Sequence, residues 1–288
     1  MVPSTERPGT ERSQRRRLPL KLSHNRREFE MRRDQSIKKI RGMDVKQRIV
    51  LAEGKVEQLW RHISRLIQTH VNNEYLSYSN QLTGQIPSSY AANAYNNLQD
   101  VMFYGELVKL AAIWDAVDID KVSIPTIVEL IYSPPTKTTL FQWRHASYAQ
   151  RKANAIIKSR MSEISPIEVQ MIMDSQMERT RLIYERSWRS SVCLAACVSA
   201  SRRLKNLLDT RAQHFAHNFD KLNYLVHSTP HAHAKYGEER RLLKTTIRIA
   251  SSLSIVVRNH QIDYSSDFAF CRRNADELWL SCRFALSK

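Results

Sequence analysis

Residues 45–66, VKQRIVLAEGKVEQLWRHISRL, decide how the chain is read. Apolar side chains fall at Val45, Ile49, Ala52, Val56, Leu59, Ile63 and Leu66, in steps of four and three. On a strand those positions would scatter over both faces. On an α-helix they form one continuous stripe. The spacing predicts a helix of about seven turns that ends near His70. Trp60 and Ile67 widen its buried face.

The same period recurs outward from this helix. Tyr75 to Leu82 reads as a short helix, and residues 84–87 as a breaker. A second long helix is expected over residues 89–117. Its inner face would be Leu98, Val101, Met102, Gly105, Val108, Ala112 and Ile113, with Gly105 admitting a close helix contact. Ser123 before Ile124 and Pro125 marks a helix start, and Pro134 and Pro135 mark its stop. Residues 136–165 are basic and read as one exposed helix. Ser165 and Pro166 then open a pattern reaching Leu208, which is long enough to require a break between Glu185 and Ser191. After a further helical segment to about Val226, residues 228–233 read as a turn. A helix then carries Leu242, Leu243, Ile247, Ile249, Ala250, Leu253 and Val256. Asn274 and Glu277 resemble a capping box for a last helix.

Only six glycines occur in 288 residues, and no internal repeat is visible. The expected fold is all-α: a bundle of long antiparallel helices over residues 43–288, joined by short connections.

The formal net charge is +17, and residues 1–50 hold 15 Lys/Arg against 6 Asp/Glu. Residues 1–42 read as a basic, solvated tail that attracts RNA or anionic lipid only electrostatically. Met31 and Met43 stand as alternative starts. No apolar run approaches the ~20 residues of a membrane span, and none follows the basic N-terminus, so a cytoplasmic protein without a membrane partner is expected. Cys193 and Cys197 would face one way from a helix as small apolar groups. Cys271 and Cys282 have no neighbour in sequence, so neither a disulfide framework nor a zinc site is expected. The run HSTPHAH (His227, His231, His233) lacks a nearby carboxylate or cysteine and reads as a polar turn rather than a metal site. Trp143, Tyr148 and Tyr184 lie among basic residues. They suit base stacking, or else core packing and surface anchoring. No nucleophile elbow, P-loop or dinucleotide fingerprint is present.

The stretch with most chemical content is LKNLLDTRAQHFAHNFDK, residues 204–221. Arg211, His214, His217 and Lys221 follow in steps of three, three and four, along one side of a helix. A permanent cation beside a group that exchanges protons near neutral pH suits metal-free cleavage of a phosphodiester. The plainer reading makes His217 a half-buried helix histidine and Arg211 a solvated cation.

Three stretches in order resemble the HEPN superfamily, and within it the abortive-infection proteins of the Abi-U type. They are GELVKLAAIWD (105–115) with the following VSIPTIVELI (122–131), then LKNLLDTRAQHFAHNFDK, then KYGEERRLL (235–243) with its apolar helix. Together they span about residues 55 to 260, and residues 1–43 have no counterpart. The resemblance implies a helical bundle that dimerises and an RNA-cleaving toxin or phage-defence effector needing neither metal nor cofactor. Its signature, an Arg and then a His on a late helix, falls on Arg211 and His217, which would form a composite site across the dimer. His214 becomes a second candidate proton carrier, and Lys221, Arg144 and Arg151 candidate RNA contacts. An antitoxin or a nucleotidyltransferase is an implied partner. Two departures stand out. Ala212 replaces a residue that is usually polar, and Phe219 replaces a tyrosine that some members carry for modification.

Overall fold

A computed structural model describes residues 20–77, 82, 84–86, 90–160, 164–201, 204 and 229–283. Among them every regular element is helical: α1 Leu20–Gly42, α2 Val45–Leu76, α3 Tyr90–Ile113, α4 Ile124–Ile131, α5 Pro134–Leu140, α6 Ser147–Ser159, α7 Pro166–Trp188, α8 Leu194–Ser199, α9 Thr229–Arg258 and α10 Tyr264–Trp279. Two π-helical turns interrupt this order. Phe141–Ala146 joins α5 to α6, and Arg189–Cys193 joins α7 to α8.

α2 is the central helix, packed by α3, α4, α5, α9 and α10. The predicted stripe is its core face: Ile49, Ala52, Val56, Leu59, Ile63, Leu66 and Ile67 are all buried. Trp60, expected to widen that face, is exposed instead. The helix also runs six residues beyond His70. Asp44 starts it by accepting from the Lys46 and Gln47 amides, which satisfies two donors the first turn would leave unpaired. Cross-helix bonds give the directions. Thr69 meets Lys109 and Asn73 meets Met102, so α3 is antiparallel to α2. Arg48 meets Leu130 and Lys55 meets Lys121, so α4 is antiparallel as well. α10 runs the other way, parallel to α2, with Ser64 bonded to Asp267 and Tyr75 to Asp276.

Several boundaries differ from the sequence reading. The break at Met43 and Asp44 is real, yet Leu20–Gly42 preceding it is a helix whose end docks on α4, with Ile40 wholly buried and Arg41 paired to Glu129 at 2.9 Å. The packed body therefore begins before residue 43. α3 is rotated from expectation over most of its length: Ile113 faces inward as predicted, but Glu106, Leu107, Leu110 and Ala111 join it while Leu98 and Val101 are exposed. Pro134 and Pro135 stop α4 and at once start α5, because a ring without an N–H is tolerated in a first turn. The capping box that does form is Ser165 with Glu168, at the start of α7. Asn274 lies inside α10, whose cap is Asp263. The expected break near residue 190 is the second π turn. Thr229–Arg258 is one helix, so residues 229–233 are helical rather than a turn. Cys193 and Cys197 are exposed, not packed.

A Cβ added to Gly54 or to Gly105 would meet no atom within 4 Å. Gly105 therefore supports no close helix contact. Gly54→Ala and Gly105→Ala are each expected to stabilise the fold by about 0.5–1 kcal/mol, since alanine restricts the unfolded chain more than glycine does. A raised urea midpoint checks this. A loss at Gly105 would reinstate the close contact.

Candidate nucleic-acid interface

Arg211, His214, His217 and Lys221 lie outside the described residues, as does Ala212. Leu204, at the start of that stretch, is buried in the core. Arg144 and Arg151 are described, and both lie on the outer face of the first π turn and α6.

The inner face of this segment is His145, Ala149 and Ala153, at steps of four. The outer face is therefore Trp143, Arg144, Tyr148, Arg151 and Lys152, all exposed. Trp143 is 42% and Tyr148 41% exposed. They are five residues apart, across the junction where the π turn Phe141–Ala146 gives way to α6. Across the same junction Ser147 Oγ donates to Gln142 O at 3.3 Å. Lys46, in the first turn of α2, holds its ammonium 5.7 Å from the centre of the Trp143 ring. Lys152 sits 5.9 Å from the centre of Tyr148. Arg144 donates from Nε to Glu53 at 2.8 Å, so its charge is largely offset. Arg151 has no carboxylate partner among the described residues. Tyr184, the third aromatic noted in the sequence, is buried, and its hydroxyl donates to Lys137 O at 2.8 Å. Burial holds that hydroxyl protonated, with a pKa far above the usual tyrosine range.

Beneath this face, His145 has no exposed surface and packs 4.5 Å, centre to centre, from Tyr184. Its Nε2 lies 3.1 Å from Val256 O, which only accepts, so Nε2 carries the hydrogen. Nδ1 has no partner among the described residues. A second proton would enter a buried site with no acceptor among the described residues. Burial accordingly pushes the His145 pKa below its ordinary 6.5, outweighing the backbone carbonyls of Val256 and Ile255, which act the other way. The unfolded chain then binds more protons, so stability is full above about pH 6.5 and falls as pH drops toward the folded pKa. His145→Phe removes this term at the cost of one hydrogen bond. Its stability deficit against wild type should therefore narrow between pH 7 and 5 in urea titrations. A deficit independent of pH would contradict the assignment.

A second buried polar group, not anticipated from the sequence, pins α2 to α3. His70 Nδ1 donates to Glu106 Oε1 at 2.6 Å, and Asn73 Nδ2 donates to Glu106 Oε2 at 2.6 Å and to Met102 O at 3.1 Å. Glu74 lies 3.8 Å from His70 Nε2 and also pairs with Arg272 of α10. His70 and Glu106 are nearly inaccessible, so this carboxylate–imidazole pair meets no polymeric substrate and serves packing. Only the i, i+3, i+4 spacing of His70, Asn73 and Glu74 on α2 hinted at it. Arg48 plays a comparable part at the other end of α2. Its guanidinium donates to Leu130 O at 2.9 Å and Glu129 O at 3.0 Å, satisfying carbonyls at the end of α4. Burial lowers its pKa.

Among the described residues no group of three or more His, Cys, Asp and Glu is placed to hold a metal ion, and no helix is long and apolar enough to cross a membrane. Comparison with protein-family models, with curated proteins and with solved structures finds no match to this chain.

Proposed function

We propose that this chain is a HEPN-type, metal-independent endoribonuclease, acting as a toxin or phage-defence effector. The observation that carries the reading is Arg211 and His217, with five residues between them, within LKNLLDTRAQHFAHNFDK, in the middle of three stretches that resemble the family in order. The all-helical fold is compatible with it, and the exposed aromatic and cationic face of α6 offers RNA a place to lie. In this reading the ribose 2′-OH attacks the adjacent phosphorus. The 2′-O–P bond forms as the bond to the 5′ oxygen breaks, leaving a cyclic phosphate and a 5′-hydroxyl. Arg211 stabilises the negative charge on the phosphate oxygens. His217 moves the proton, and a second copy of the chain, meeting the first in a twofold dimer, supplies a second imidazole. His214 is the reserve proton carrier.

Ala212 favours a second reading, a silent HEPN module that binds RNA, a nucleotide or a protein partner such as an antitoxin or nucleotidyltransferase without cutting RNA. Expression in bacteria separates the two. Growth arrest relieved by Arg211→Ala or His217→Ala is the expected result. Harmless expression of wild type and variants alike would leave the silent module.

A further inference from the structure

We propose that the outer face of the first π turn and α6, with the first turn of α2, is a stacking platform for single-stranded RNA. This deepens the ribonuclease reading by giving its substrate a place and a strandedness, and it rests on that reading only for the choice of RNA. Trp143, on the π turn, and Tyr148, on the first turn of α6, are both exposed, and each has an ammonium near its ring, Lys46 and Lys152 respectively. Every base has a π-face, so exposed aromatic rings accept unpaired bases of any sequence while neighbouring cations meet the phosphates. From Trp143 to Lys152 the helix rises roughly 13 Å, the length of roughly four stacked nucleotides. The acids nearby do not cancel the charge. Glu53 is taken by Arg144, and Glu57 by Arg61 and Arg258. Lys46, Arg151 and Lys152 remain for phosphate. A duplex keeps its bases stacked on one another and gains only the electrostatic part.

The test uses the full chain and a 2′-O-methylated oligouridylate of about 12 nucleotides. This probe has bases and phosphates but no attacking hydroxyl, so binding is read without cleavage. Trp143→Ala and Tyr148→Ala should each weaken binding roughly 5- to 100-fold in anisotropy titrations, while Trp143→Phe and Tyr148→Phe retain most of it. Arg151→Ala should lower the salt slope by about one unit. Ultraviolet crosslinks to the oligomer should map to residues 143–152. Four outcomes overturn the platform: no binding by wild type, alanine variants that bind like wild type while keeping native circular dichroism, equal affinity for a duplex of the same length, or preference for phosphatidylserine vesicles over the oligomer. A platform that holds while Arg211→Ala leaves RNA cleavage untouched would sink the ribonuclease reading alone. Cleavage lost in Arg211→Ala but unaffected in Trp143→Ala and Tyr148→Ala would sink the platform alone.

Discussion

His217→Ala is expected to slow RNA cleavage roughly 10²- to 10⁴-fold, and Arg211→Ala roughly 10²- to 10³-fold. The two losses have different origins. The imidazole moves a proton in the transition state, so removing it costs the advantage of a positioned acid–base group. The guanidinium meets charge that builds up on phosphate as the 2′-oxygen attacks, and alanine leaves that charge to water. Affinity for the 2′-O-methylated oligomer should change far less than the rate in both variants, because the proposed binding surface lies on the first π turn, α6 and the first turn of α2. His214→Ala distinguishes a proton carrier from a bystander. A loss near that of His217→Ala places it in the chemistry, and a wild-type rate removes it. The measurement is single-turnover cleavage of a labelled RNA in the presence of EDTA, with product ends analysed for a cyclic phosphate. Unchanged rates in Arg211→Ala and His217→Ala would end the proposal.

Glu106→Ala is expected to destabilise the fold by about 3–5 kcal/mol, as for the loss of one member of a buried, hydrogen-bonded pair. The Glu106 carboxylate accepts from both His70 and Asn73. Truncation strips both donors of a short bond in a site closed to water. The penalty comes from what is left behind more than from the worth of the pair. His70→Leu with Glu106→Leu should therefore recover part of the loss, because two apolar groups of similar volume need no partner while Asn73 keeps only its bond to Met102 O. Urea unfolding of the single and double variants decides the matter. A single-variant loss below about 1 kcal/mol would mean that the pair contributes little.

The fold was legible where burial repeats with the helical period. Seven of the α2 core positions could be named from spacing alone, as could the Ser123 cap, the Pro125 start and the interruption near residue 190. The α3 face was misread because its sequence is apolar on nearly every side. Val101 and Leu107 are equally hydrophobic, and only the neighbouring helices choose between them. Asn274 with Glu277 misled for a related reason, since capping chemistry does not distinguish a helix start from a helix interior. Of the candidate site, Arg144 and Arg151 were placed on an outer face. The offsetting of Arg144 by Glu53, 91 residues away in sequence, was beyond any local pattern.

Periodicity by itself determined the class of this protein, since steps of three and four leave an amphipathic chain only one way to bury its apolar side chains. The order Arg211, His214, His217 is likewise a property of the chain alone, and so is the chemistry those groups could perform. The tertiary structure decided which polar groups are sealed and which stand open. Desolvation depends on neighbours distant in sequence. Packing of α2 against α3 closes over His70 and Glu106. Packing of the first π turn and α6 seals His145 inward and leaves Trp143 and Tyr148 facing water.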